Sequence, residues 1–464
     1  MIVTRNFLYK MILVLVTIFL FFVDYNNCSY QLICIFTLTD LFLCGIILWK
    51  QGCVTLDNPI FWFWSITVLF SLGQNIAYLF ITDTSLVSST LLVGYKYSIS
   101  DMCRGSIFTI QALNMMTLGL LWPLKQELND FPEVDLEYKK NERTTALAAY
   151  YFGTVVLIMA AIPQILYVRA ELLQFFSAGY GLNASEQLSG LVLRLHYLFV
   201  PALLSRYVGK VFLNKKTYLE TAIILIQVLL FLAMGDRGTG LGLLVTYIWL
   251  RASTDKSFKI RKYIIPITLV VLAIPIVKYY RIAYTSNQGG ALSSAINYVI
   301  SNNPIIDILL ETGGTQNIII MTMARTATTG LAYGLAYLDF FIKMIPSFFG
   351  VEQNYGTLAK WVIGTTGYQT QGYSIWGEAY LNFGQMGIPF MFLIGLAFRL
   401  LLNNNGKSRV LSLLRVGITL SFFCDIARRS ISEFGYNFLY DIVIPVVVIY
   451  LISDFLRKRA GKDE

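Results

Sequence analysis

Four stretches of the sequence carry side chains whose type and spacing could do chemistry. The first is Met234, Gly235, Asp236, Arg237, Gly238, Thr239 and Gly240. Glycine lets the backbone turn sharply and lets a ligand come close. A helix starting there offers free N–H groups and the positive end of its dipole to an anion. Arg237 at that start reads as a clamp for a pyrophosphate. A tight turn with an interfacial Arg and a local Asp236 pair fits the same residues.

The second stretch is Lys278, Tyr279, Tyr280, Arg281, Ile282, Ala283 and Tyr284. Arg281 could be a second anion ligand, with Tyr280 and Tyr284 as platforms for sugar faces. Tyr and Arg also collect at headgroup depth in any membrane protein. The third runs from Gly372 to Gly384 and holds Tyr373, Trp376, Glu378 and Tyr380. Its one acid, Glu378, could take a proton from a sugar hydroxyl as a general base, or hold the segment by pairing with an Arg. Tyr373 and Trp376 suit sugar stacking. The fourth is Arg428 and Arg429 with Glu433 nearby. This pair could close an anionic site or neutralise Glu433 and Asp425.

Further charges lie inside apolar runs. Arg194 and the only histidine, His196, are two residues apart in one such run. A cation there costs about 2.5–3.5 kcal/mol to insert, so it faces a cavity, a partner or the interface. Arg325 interrupts an apolar, aromatic stretch in the same way.

The elements that must position these groups follow from composition. Of 464 residues, 56% are hydrophobic and 14% charged, against about 25% charged in a soluble domain. That excludes a large soluble enzyme, a disordered chain and a disulfide-rich secreted domain. The six cysteines show no CxxC spacing, so no zinc site or disulfide framework is expected. The net charge of +9 reads as cationic membrane loops rather than a nucleic-acid surface. No DxD pair, GxxxxGK[ST], HExxH or GxSxG element occurs, which removes support for metal–nucleotide-sugar, ATP, zinc and serine-hydrolase chemistry.

The expected fold is all-α and polytopic. Twelve spans are read at 11–23, 30–48, 60–81, 104–122, 145–168, 188–208, 217–234, 238–251, 262–280, 384–402, 409–427 and 437–453. Placing both termini inside puts about two thirds of the loop Lys and Arg on the inner side. The outer set is dominated by Arg, whose planar fork grips phosphate bidentately. Three regions result: a bundle of nine helices over 1–280, a long outer loop over 281–383, and three spans with an inner tail over 384–464. Loops of that length tend to be functional. Within it, Pro304–Glu311 reads as a short helix. The segment Gln316–Phe349 reads as amphipathic helices lying on the membrane, or as a re-entrant hairpin.

The layout, the Gly235-Asp236-Arg237-Gly238 turn and the run Gly377, Glu378, Ala379, Tyr380, Asn382, Phe383, Gly384 together resemble the bacterial O-antigen or capsular repeat-unit polymerases, the Wzy class. The layout covers almost the whole chain and the motifs about twenty residues. The resemblance implies a GT-C-like helical glycosyltransferase in the bacterial inner membrane. Such an enzyme works on the outer leaflet. It transfers a glycan from an undecaprenyl-pyrophosphate carrier to the terminal sugar of a new lipid-linked repeat unit. No cofactor and no metal is implied. Flippase and chain-length regulator proteins are the candidate partners besides the lipid bilayer. In that picture Arg237 and Arg281 stabilise the departing pyrophosphate and Glu378 is the base. Arg194, Arg325, Arg428, Arg429, Tyr280, Tyr284, Tyr373 and Trp376 contact substrate. One pattern of some such polymerases, a Gly eleven residues after a loop Arg, is not met: Leu292 follows Arg281 and Ala336 follows Arg325 at that spacing.

Two other readings compete. An O-antigen ligase shares the layout but uses an outer-loop His, and His196 lies within a span. A lipid-linked oligosaccharide flippase would show two similar halves, which the long loop interrupts.

Overall fold

The structure, a computed structural model, describes residues 2–81, 98–123, 136–177, 188–234, 236–255, 257–262, 268, 275–277, 279–280, 290–301, 303–345, 349–363, 373–403 and 408–460. Every regular element among them is helical. Seven helical stretches are long and apolar enough to cross a membrane: Tyr30–Lys50, Pro59–Tyr78, Lys140–Leu173, Gly190–Phe212, Ile375–Leu401, Arg409–Arg428 and Ile431–Arg459. Phe7–Leu20 and Tyr218–Ala233 are shorter apolar helices. The expected spans at 104–122 and 238–251 fall on the helices Ile99–Leu120 and Arg237–Thr254. Most of the expected span at 262–280 lies outside the described residues.

Local sequence explains the helix ends. Asn58 caps Pro59–Tyr78 through Ile60 N–H, with Pro59 in the first turn where its missing N–H costs nothing. Ser98 and Asp101 form a reciprocal capping box at the start of Ile99–Leu120. The sixth expected span is broken into Gly190–Tyr197 and Phe199–Phe212. Pro201 explains the break, because its ring clashes with the carbonyl four residues back, that of Tyr197. Leu136–Ser177 runs for 42 residues, about 63 Å at helical rise. That is roughly twice the thickness of a bilayer's hydrocarbon core, so the helix is longer than one span requires.

The chain divides into two compact units. One comprises Met1–Trp122, Val299–Leu400 and Phe423–Gly435. Within it, Ile99–Leu120 is buried along most of its length. A polar chain threads the apolar packing. Tyr30 donates to Asn75 Oδ1 at 2.7 Å, Asn75 Nδ2 donates to Thr37 at 3.0 Å, and Ser106 donates to Asn75 at 3.3 Å. Gln316 reaches Ser106, and the Thr315 hydroxyl donates to the Phe70 carbonyl.

Those last two contacts settle where the middle of the expected outer loop goes. The helix Thr315–Thr329 is packed inside this unit, with Ile318, Ile319, Ile320, Met321 and Met323 buried. It does not lie flat on the surface. Its polar residues Thr315, Gln316 and Thr322 find hydrogen-bond partners in Phe70, Ser106 and Tyr373. The short helix expected from Pro304 is present as Pro304–Thr312, capped by Asn303.

The other unit comprises Pro123–Tyr298, Leu401–Phe422 and Tyr436–Glu464. Its buried polar contacts pin helix to helix. Glu142 accepts from Val410 N–H at 3.1 Å. Thr145 and Ser453 share a 2.9 Å hydrogen bond, and Arg457 donates to both. Glu220, fully buried, takes Arg206 Nε and Lys210 Nζ at 2.8 Å each.

Candidate functional site

Glu378 lies in the helix Ile375–Phe383, whose N-cap Ser374 accepts from the N–H groups of Trp376 and Gly377. The helix runs on through a single 3-10 turn into Gly387–Leu401. Glu378 therefore sits within an apolar helical stretch rather than above one. The carboxylate is fully buried. Oε2 accepts from Ile431 N–H at 2.6 Å and Oε1 from Ser432 N–H at 3.0 Å. These are the first amides of the helix Ile431–Asn437, where free N–H groups and the dipole favour an anion. The acid thus holds the turn that follows Arg428 and Arg429.

The rest of the Gly377–Gly384 run has structural work in the same place. Asn382 Nδ2 donates to the Glu378 carbonyl at 2.8 Å, and its Oδ1 accepts from Ala336 N–H at 3.2 Å. Gly384 has φ +57°, a left-handed conformation that glycine adopts without strain, and it lets the chain turn between the two helices.

Around this helix the expected substrate-binding residues fall into different settings. Tyr373 is fully enclosed and its hydroxyl meets Thr322 at 3.0 Å. Trp376 is 1% exposed and its Nε1 donates to Ser71. Both rings pack in the core here and show no face to solvent. Arg428 is half-buried at the end of the helix Phe423–Arg428, and Arg429 is exposed beyond it. Arg325 lies with its guanidinium 5.1 Å from the Trp361 ring centre, and its Nε is buried without a hydrogen-bond partner. Arg104, not singled out from sequence as a substrate contact, donates to the Tyr380 hydroxyl at 3.0 Å.

In the other unit, Arg237 is the first residue of the helix Arg237–Thr254, capped by Asp236. Asp236 accepts from Thr239 N–H at 3.3 Å and from its hydroxyl at 2.7 Å. The helix N-terminus expected at this turn is therefore present. The Arg237 side chain lies outside the described residues, as do Gly235, Arg281 and Tyr284. Tyr280 is half-buried. Arg194 stands 4.4 Å from the Tyr436 ring centre and 5.7 Å from that of Tyr440, and the two rings stack on each other. His196 is buried, with Nδ1 at 2.5 Å from Gln164 Oε1 and its ring stacked on Tyr167. Gln164 in turn donates to Gln227 at 2.8 Å.

Three groups escaped the sequence reading. Asp40 is 2% exposed in the middle of Tyr30–Lys50; Asn114 donates to its Oδ1 at 3.0 Å and Oδ2 has no partner. Asp441 is buried in a π-helical turn, Phe438–Val443, and accepts from Asn437 at 2.8 Å. A lone acid in an otherwise apolar run was the signal available for both. Lys343, at the end of the helix Leu335–Ile342, stands in the sequence as a cation in an apolar, aromatic run, four residues after Asp339; the fold adds Glu433, Glu378 and Arg429 within electrostatic reach of it.

No curated protein and no solved structure matches the chain. A family model described as O-antigen polysaccharide polymerase Wzy matches residues 9–460. With that match running from the first apolar helix to the end of the last, the chain belongs to the O-antigen polysaccharide polymerase Wzy family.

Proposed function

We propose that this membrane protein polymerises oligosaccharide repeat units carried on undecaprenyl pyrophosphate, at the outer leaflet of the bacterial inner membrane. The supporting observation is the Glu378 interlock. It joins the run most like the polymerases' acidic segment to the Arg428–Arg429 turn, within one unit. The family match supports polymerisation of O-antigen units, and the cation-rich turn suits a pyrophosphate leaving group.

In this reading Arg237 and Arg281 stabilise the departing pyrophosphate, the first from a helix N-terminus. Arg194, Arg325, Arg428 and Arg429 bind the anionic and polar parts of the two lipid-linked substrates, with Tyr280 and Tyr284 against sugar. Tyr373 and Trp376 shape the site from behind. Glu378 acts as a positioning residue that sets the Arg428–Arg429 turn; to serve as the base it would first release Ile431 and Ser432. The topology that goes with this reading has twelve spans, a GT-C-like arrangement and both termini cytoplasmic. It has a bundle over 1–280, an outer segment over 281–383 and three final spans over 384–464. A flippase supplies the substrate and a chain-length regulator sets the product.

The test is transfer by the purified full-length protein in nanodiscs, given synthetic undecaprenyl-pyrophosphate-linked repeat units. A ladder of longer lipid-linked glycans with release of undecaprenyl pyrophosphate supports the proposal. Single units left unextended by folded, monodisperse protein overturn it.

A further inference from the structure

The six cysteines form no framework in sequence, but the fold brings two of them together. Cys28 and Cys103 are 75 residues apart, and the Cys103 Sγ lies 3.6 Å from the Cys28 carbonyl oxygen. Both belong to the same compact unit. Two further contacts align the same two segments. Ser100 Oγ donates to Asn26 Oδ1 at 2.8 Å, and the Arg104 guanidinium stands 5.8 Å from the Tyr25 ring centre. The turn before Cys28 is also braced from within. Asp24 accepts from Asn26 N–H at 3.0 Å and from Asn27 Nδ2 at 2.7 Å.

The two thiols differ in access. Cys28 is half-buried, whereas the other five cysteines are buried. It precedes Ser29, the N-cap of Tyr30–Lys50, and so lies outside the helix. Its Sγ donates to the adjacent Ser29 carbonyl at 3.7 Å, and a thiol is a weak donor. Cys103 is fully buried near the start of Ile99–Leu120. Among the described residues, no group of three His, Cys, Asp or Glu is placed to hold a metal ion. Two thiols on touching segments, with no third ligand, suit a disulfide. The bond needs Cα atoms about 4.4–6.8 Å apart. Here one sulfur already meets the other residue's backbone, so the movement required is rotation of the Cys28 side chain away from Ser29.

We propose that Cys28 and Cys103 are a disulfide-forming pair on the outer side of the membrane, tying the turn after the first helix to the start of Ile99–Leu120. The pair is independent of the transfer chemistry and takes from the proposed function only its topology, which puts both segments outside. That space is oxidising enough for disulfides to persist. The co-reactant is a protein disulfide oxidant. The Cys28 thiolate attacks one sulfur of that disulfide, and the oxidant's other sulfur leaves as a thiolate. The Cys103 thiolate then attacks the Cys28 sulfur, and the second oxidant sulfur leaves. Each cysteine proton ends on an oxidant sulfur, and the oxidant takes both electrons. Burial makes Cys103 a poor first nucleophile, which sets the order. The cross-link closes a long loop and so restricts the unfolded chain. It also holds the base of Arg104, which donates to Tyr380 in the helix that carries Glu378.

The test uses the full-length protein. Cells are quenched in acid and dissolved in detergent with N-ethylmaleimide, which blocks every free thiol. Disulfides are then reduced, and the released thiols are tagged with polyethylene-glycol maleimide. Wild type should shift on a gel by two tags, and so should Cys34→Ala. Cys28→Ser and Cys103→Ala should each lose the shift completely. Non-reducing digestion should yield one linked peptide pair, Cys28 with Cys103. The same tagging of purified protein in nanodiscs, equilibrated with oxidised and reduced glutathione, separates geometry from compartment. A wild type that gains no tags in oxidising glutathione overturns the inference, and so does a linked pair that contains Cys34. If the purified protein pairs but cells hold both thiols free, the outer placement is overturned and the inference with it. The polymerase reading is judged separately, by the transfer assay.

Discussion

Glu378 and Ile431, 53 residues apart, are joined by a 2.6 Å hydrogen bond from the Ile431 amide to the Glu378 carboxylate. A second bond from Ser432 N–H occupies the other oxygen. The carboxylate does for the helix Ile431–Asn437 what an N-cap side chain does locally. It comes from a distant segment, so it also fixes the Arg428–Arg429 turn against the end of the long loop.

Replacing Glu378 separates holding from proton transfer. Glu378→Ala leaves two buried amides without an acceptor, at about 1–3 kcal/mol each. The account expects a lower melting temperature of the purified protein and a matching loss of polymer. Glu378→Gln retains one amide oxygen as acceptor and should lie between the two. Unchanged melting of Glu378→Gln together with complete loss of transfer would assign the residue to proton transfer instead.

The turn before Arg237 makes a separate claim. Asp236→Ala removes the cap on Arg237–Thr254 and should cost about 0.5–2 kcal/mol. Arg237→Lys keeps the charge but loses the bidentate fork. It should melt as wild type and lower polymer yield about tenfold or more if the guanidinium grips the leaving pyrophosphate. Intact polymer length and yield in Arg237→Lys cells would argue against that grip.

Glu220 offers a stability test away from the proposed chemistry. It is fully buried between Arg206 and Lys210, whose side chains are 18% and 14% exposed. Removing one partner from a buried pair costs about 3–5 kcal/mol. Because both cations keep some solvent, Glu220→Ala should fall at the low end, about 3 kcal/mol. Thermal unfolding in detergent, at low and high salt, checks this.

Lys343 gives a pH signature. Burial holds its ammonium below the ordinary value of 10.5, opposed by the nearby Glu433, Asp339 and Glu378 charges. In the window between that lowered value and 10.5 the unfolded chain binds more protons than the folded one. Stability contributed through this residue therefore rises with pH across the window. Wild type should gain on Lys343→Met as pH is raised toward about 10.5, read from paired melting curves. A gap that stays flat or closes would contradict the burial.

Much of the helix content was legible, because runs of about 20 apolar residues have few other uses. Tyr30–Lys50 and Pro59–Tyr78 fall on the apolar runs read at 30–48 and 60–81. The path of the long loop was not legible. Thr315–Thr329 carries Thr315, Gln316 and Thr322 as polar residues, and their partners Phe70, Ser106 and Tyr373 are far away in sequence. Hydropathy alone reads such residues as solvent-facing. The importance of Glu378 was visible as a lone acid in an aromatic run. Its partners were not, since backbone amides leave no trace in residue type. Tyr373 and Trp376 carried a sugar-stacking pattern, yet the same pattern serves a core ring.

The most direct measurement is deletion of the gene in its own host, followed by gel analysis of surface glycan and extracted lipid-linked material. The account expects long polymer to vanish while single repeat units still reach the outer surface. Intact long polymer retained on its lipid carrier would indicate a ligase, and repeat units trapped on the inner leaflet would indicate a flippase. Either of these would contradict the polymerase assignment of the site.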